Sequence, residues 1–184
     1  MKTCILVYDG FTQFEVILAA YLLKTKREII TAGLDKKPVT SYEGFQIIPD
    51  TDISKIDTDK IDMLIIPGGS PDKLYKNKEL YNLIIKINNQ NKKIAAICSG
   101  VLHLAACGIL KNKNYTTSIN PKEFGEFKSS TYVEKNVVTD DNIITAKAEG
   151  YVDFAIELGK IMKIYENKED LNETIKFFKY FNEK

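Results

Sequence analysis

The stretch IAAICSGVLHLAACGIL, Ile94 to Leu110, begins as the apolar run of a buried parallel strand and continues as an apolar helix, with Cys98, Ser99 and Gly100 at the seam. A strand that turns directly into a helix is the unit of an α/β sheet, so this stretch decides the fold class. The segment Ala96-Ile97-Cys98-Ser99-Gly100 also has the small-x-nucleophile-x-Gly spacing of a nucleophile elbow. Small residues two before and two after the centre let a sharp turn form without collision and leave the central side chain exposed in a strained conformation. The residues alone leave two readings of Cys98 open, a presented nucleophile and a small buried core sulfur.

Working outward, the same alternation recurs. TCILVY reads as a buried strand ending at Asp9-Gly10, and TQFEVILAAYLLKT follows with Phe14, Ile17, Leu18, Tyr21 and Leu22 at helical spacing. REIITAG is a second strand, and KPVTSYEGFQIIPD reads as a hairpin turning at Glu43-Gly44. DMLIIPGG repeats the strand-then-glycine pattern, before a helix through KELYNLIIKINNQ and the strand KKIAAI. Strands alternating with helices predict a mostly parallel central sheet covered on both faces, a three-layer α/β sandwich. Beyond Leu110, VEKNVVTDDNIITA predicts two strands around Asp140-Asp141-Asn142, and YVDFAIELGKIMKIY restores helical spacing. The final segment sets Leu171, Ile175, Phe178 and Phe181 on one face of a closing helix over about residues 168–182, read as a packing helix with an oligomer contact as the alternative.

The 184 residues suit a single domain spanning the chain, in which folding removes roughly 70% of the unfolded surface from water. Lys and Arg number 26 against 25 Asp and Glu, and a net charge of +1 gives no field to hold a polyanion, so nucleic acid is not an expected partner. The apolar run before Asp9 is too short for the core of a signal peptide, and no run approaches the ~20 residues that span a bilayer. The chain therefore reads as soluble and cytoplasmic, without a membrane partner. Three cysteines, Cys4, Cys98 and Cys107, form no paired framework and fit a reducing compartment. One histidine, His103, offers no zinc spacing, so neither metal nor cofactor is expected. His103 falls five residues after Cys98 among Leu102, Leu104 and Ala105, which reads as a packed structural position.

In an open parallel sheet, ligands bind outside the carboxyl ends of the strands. Three such ends stand out: Asp9-Gly10, Gly68-Gly69 and Cys98-Ser99-Gly100. A thiol at the last would meet the N-terminus of the helix that follows, whose dipole favours the thiolate. Backbone amides near Gly69 and Ser99 could donate to a developing oxyanion. From the residues alone Glu15 reads as a solvated helix position, although Phe14, Val16 and Ile17 surround it.

Taken together and in order, VYDGFTQFEVILAAYLL, DMLIIPGG, IAAICSGVLHLAACGIL and VVTDDNIITAKAEGYVDFAIEL resemble the ThiJ/PfpI (DJ-one) superfamily, relatives of the class I glutamine amidotransferases. The resemblance covers the chain to about Leu158 and implies a flavodoxin-like sandwich, a reactive elbow cysteine, and an acidic residue from the first strand-to-helix loop beside its sulfur, here Glu15. It also implies a homodimer with the site near the subunit contact. Protease-like members carry histidine directly after the cysteine, where this chain has Ser99. Glyoxalase-like members carry histidine in the segment matching YTTSINP, where this chain has Ser118. The combination of acid, cysteine and adjacent hydroxyl is similar to isonitrile hydratase-like members, which usually carry Asp and Thr where this chain has Glu and Ser.

The resulting expectation is a cysteine-dependent small-molecule enzyme of the hydratase or hydrolase type. Cys98 is the nucleophile, Glu15 the proton donor or acceptor, and the Ser99 hydroxyl a partner of the intermediate. The Gly69 and Ser99 amides stabilise developing charge, and Gly68, Ser70 and Ser118 are substrate contacts. Alternatives are a sensor whose Cys98 oxidises to a sulfinic acid held by Glu15, a glyoxalase or deglycase, and a binding module on the same fold.

Overall fold

The computed structural model describes residues 2–181. In chain order the first half comprises strand β1 (Lys2–Leu6), helix α1 (Phe14–Leu23), β2 (Glu28–Gly33), β3 (Val39–Thr40), β4 (Gln46–Ile47), β5 (Thr51–Asp52), β6 (Ile61–Ile66) and α2 (Lys78–Asn89). The second half comprises β7 (Lys93–Ile97), α3 (Val101–Ala106), β8 (Asn114–Tyr115), β9 (Thr131–Tyr132), β10 (Val137–Asp140), β11 (Ile143–Ala146), α4 (Tyr151–Ile161) and α5 (Lys168–Tyr180).

Seven strands form one sheet in the order β10-β11-β7-β6-β1-β2-β5, parallel except for the antiparallel β10. The chain leaves β1 toward β2 and β5, then returns across β1 to build β6, β7 and β11 on its other side. Crossovers in opposite directions, each right-handed, put α1 and α2 on opposite faces. Helix α4 packs on α1 and α5 on α4, giving three layers of the predicted flavodoxin-like kind. The reversal lies between β1 and β6, the topological switch point at which open α/β sheets place their sites, and here the loops after the two strands are bridged through Phe11 and Gly69.

The central strands are apolar on both faces. Cys4, Leu6, Met63 to Ile66 and Ile94 to Ile97 are all fully buried. Each such Ile or Leu contributes roughly 1.5–3 kcal/mol by leaving water, which is why these strands carry no alternation. The hairpin predicted at Glu43-Gly44 forms from β3 and β4, with Gly44 at φ 91. The one around Asp140 to Asn142 forms from β10 and β11, with Asp141 at φ 55.

The closing helix differs from expectation at its end. Asn167 caps α5 through the amides of Glu169 and Asp170, and Leu171, Ile175 and Phe178 lie against the core. Phe181, however, stands beyond the helix at φ 55 and is 86% exposed, so it does not share the packed face. The left-handed turn that ends the helix swings it off the apolar stripe. Residue 182, included in the predicted span, lies outside the described residues. No helix among the described residues is long and apolar enough to cross a membrane.

Candidate active site

The carboxyl ends of β1, β6 and β7 converge on the elbow. Cys98 leaves β7 at φ 56, a left-handed conformation that costs a residue other than glycine about 1–3 kcal/mol and persists only where its surroundings enforce it. The Val101 amide donates to the Cys98 carbonyl, and the Thr117 hydroxyl donates to it at 2.7 Å. Gly100 has to be glycine, because a Cβ there would lie 2.6 Å from the Ile66 and Pro67 carbonyl oxygens. Cys98 itself is half-buried.

Glu15, in the first turn of α1, is only 2% exposed. Its Oε2 accepts the Gly68 amide at 2.7 Å and its carboxyl lies beside the Cys98 thiol, close enough for each to shift the other's pKa. A Cβ on Gly68 would sit 2.7 Å from Cys98 Cβ and 2.8 Å from Glu15 Oε2, so Gly68 allows this contact rather than lining an open subsite. The first turn of α1 is held from outside the helix: Glu43, in the β3–β4 hairpin, accepts the amides of Gln13 and Phe14 at 3.0 Å each. That cap comes from far along the chain, and no local pattern announces it. Tyr8 was likewise missed; its hydroxyl donates to the Gly68 carbonyl at 2.8 Å, which also accepts the Thr12 amide.

Ser99 and Gly69 are placed differently from expectation. The Gly69 amide donates to Ser99 Oγ at 3.0 Å, and Ser99 Oγ donates to the Gly69 carbonyl at 3.0 Å. The amide assigned to oxyanion stabilisation is therefore already engaged. The Ser99 hydroxyl, on a buried residue, is engaged with the neighbouring loop. The Ser99 amide lies next to the Cys98 sulfur and works to lower the thiol pKa. Ser70 is exposed beside Gly10, its amide on the Gly10 carbonyl at 3.2 Å.

Ser118 follows Thr117, whose hydroxyl holds the Cys98 carbonyl, and its own hydroxyl is near enough to the sulfur to lower the thiol pKa. Ser118 Oγ also accepts the Ala148 amide at 2.7 Å and reaches Glu149 Oε2 at 3.4 Å. Sequence reasoning passed over Glu149. His103 is fully buried on α3, 6.3 Å from the Tyr81 ring, and burial lowers its pKa from 6.5 to about 4. It is neutral at pH 7 and packed, in line with a structural position.

The electrostatics reverse one expectation. The Cys98 thiol is pushed up to about 11, first by burial and next by the negative charge of Glu15; the Ser99 amide and Ser118 pull the other way. Burial also raises Glu15, against the Gly68 amide and the neighbouring Cys98, while the charge of Glu43 adds to the rise. Burial thus raises the proton affinity of both members of the pair. Such a pair can pass a proton to an incoming atom while the sulfur bonds to it.

The DJ-1/PfpI family profile matches residues 1–160. The deglycase TK1284 of Thermococcus kodakarensis is 26% identical over 152 residues, covering 82% of this chain and 92% of that protein. The glutathione-independent glyoxalase DJR-1.2 of Caenorhabditis elegans is 31% identical over 170 residues, covering 89% and 88%. Among solved structures, the DJ-1 superfamily protein Atu0886 from Agrobacterium tumefaciens superposes with a TM-score of 0.87 at 25% identity, covering 99% of this chain and 100% of that one.

Proposed function

The chain belongs to the DJ-1/PfpI family, and from that premise we propose that it is a cysteine-dependent enzyme acting on small carbonyl compounds of the glyoxal type. The relatives named deglycase and glyoxalase support carbonyl chemistry more than the hydration of an isonitrile. The observation that carries the reading is the Glu15 carboxyl seated against the sulfur of a strained elbow cysteine.

In the first step Cys98 Sγ attacks the carbonyl carbon. A carbon–sulfur bond forms, the S–H bond breaks, and the carbonyl π pair becomes a lone pair on oxygen. The thiol proton passes to Glu15 and from there to that oxygen, leaving a hemithioacetal with no net change in protons. Glu15, ionised again, is the base for the next proton removal. With Ser99 after the cysteine and Ser118 where glyoxalase-like members carry histidine, this carboxyl does the work an imidazole would share. The Ser99 amide and the Ser118 hydroxyl, both of which lower the Cys98 pKa, stabilise negative charge on the sulfur as its proton leaves.

The active form in this reading is a homodimer. Phe14, Ile17, Tyr21, Phe45 and Phe177 form an exposed apolar face beside the first turn of α1, of the kind that subunits cover. The test is consumption of glyoxal and related small aldehydes by purified protein. Cys98→Ser is expected to abolish it and Glu15→Ala to reduce it roughly a hundredfold or more, the scale of lost general acid–base catalysis. Full turnover by Cys98→Ser overturns the proposal.

A further inference from the structure

We propose that Glu149, acting through Ser118, makes the Cys98 site select electrophiles that carry an ammonium or other cationic group and discriminate against those that carry a carboxylate. This rests on the reading of Cys98 as the nucleophile.

Glu149 enters the site through one hydroxyl. Ser118 Oγ meets Glu149 Oε2 at 3.4 Å, the Ala148 amide at 2.7 Å holds it in place, and the preceding residue, Thr117, binds the Cys98 carbonyl at 2.7 Å and so keeps the Ser118 hydroxyl beside the elbow. The hydroxyl has a single proton. When it points at Glu149, its lone pairs face the sulfur and any donor arriving there; when it points at the sulfur, the Glu149 oxygen is left free. In either arrangement the open side of Cys98 presents an acceptor backed by a carboxylate, which suits a donor with positive charge.

The surrounding charges do not cancel this. Lys147 lies 4.0 Å from Glu149, but its closer partner is Glu134, so the three side chains together carry one negative charge. Glu15 lies beside the sulfur, and Glu43 adds a further carboxylate at the first turn of α1. An anionic substrate would approach against all of these charges. Ser118 and Glu149 are both exposed, so the effect acts on the approaching molecule and not on the fold.

Charged methanethiosulfonates test this directly on the full-length protein. Rates of Cys98 modification by a trimethylammonium-ethyl and a sulfonato-ethyl reagent are compared, with the modified residue located by peptide mass so that Cys4 and Cys107 do not contribute. The wild-type protein is expected to favour the cation, and Glu149→Gln to reduce the cation-to-anion ratio roughly three- to tenfold, an effect that shrinks as salt is raised. Glu149→Lys should invert the preference. Glu28→Gln makes the same charge change at the far end of the sheet and should leave the ratio where it was. An unchanged ratio in Glu149→Gln, or an equal change in Glu28→Gln, overturns the proposal. Because the readout is thiol modification and not turnover, an active Cys98→Ser variant would remove the nucleophile assignment without altering this result.

Discussion

Ser99 Oγ grips Gly69 at both ends of the residue, accepting its amide and donating to its carbonyl at 3.0 Å each. The loop after β6 is thereby tied to the elbow after β7, and the two strand ends on which Cys98 depends move as one piece. Removing the hydroxyl leaves two backbone groups without their partner, a loss of about 1–3 kcal/mol. Ser99→Ala is expected to lower the melting temperature by about 2–12 °C for a chain of this size. Ser99→Thr should restore most of it. Thermal unfolding followed by circular dichroism checks both.

Gly68 tolerates no side chain. The 2.7 Å and 2.8 Å approaches that a Cβ would make to Cys98 Cβ and Glu15 Oε2 push the acid and the sulfur apart. Gly68→Ala is expected to fold and to lose turnover roughly a hundredfold, because misplacement of about 1 Å at reacting groups costs that much. Steady-state rates beside a circular dichroism spectrum separate this effect from unfolding.

Glu15 and Cys98 repel when both are ionised, and the charge of Glu15 is the second cause of the raised thiol value near 11. Glu15→Gln removes that charge, so the pH at which Cys98 becomes alkylated should fall. Burial, the larger cause, remains, and the midpoint should stay above the ordinary thiol range. Iodoacetamide rates from pH 6 to about 11 measure it. A rise instead of a fall would mean that the wild-type proton already rests on Glu15.

His103 links stability to acid. Its pKa is about 4 in the folded chain and 6.5 when free, so the unfolded state binds the extra proton first. Stability is complete above about pH 6.5 and declines as pH falls toward 4, by roughly 3 kcal/mol in total. Urea midpoints should drop across that window in the wild type and stay flatter in His103→Phe.

The apolar face carries the fifth expectation. Ile17 and Tyr21 are half or more exposed on α1, and a charge there opposes the burial that a stable dimer requires. Ile17→Lys is expected to sediment as a monomer while the wild-type protein sediments as a dimer.

The sheet was legible in the sequence because its central strands are buried on both faces and read as unbroken apolar runs. The elbow was legible because a sharp turn demands small residues at fixed offsets, Ala96 and Gly100. What escaped was set by distance along the chain. Glu43 reaches α1 from 30 residues away, and Ser118 meets Glu149 across 31. Ser99 was read as facing substrate because a hydroxyl beside a nucleophile gives no local sign of which way it turns. The thiol was expected to ionise easily, since helix dipole is visible in sequence whereas burial is decided by packing.

The two borders of the main sheet are unlike its interior. On one side β5 is two residues long, and on the other β10 runs against its neighbour for four residues, ending at Asp140, which is paired with Lys113. Neither border offers the long, flat row of free backbone groups on which another chain could add strand by strand. Any association of this chain with itself is therefore expected through side chains of the helical surface, where the exposed apolar face of α1 lies, and not by strand addition at either border.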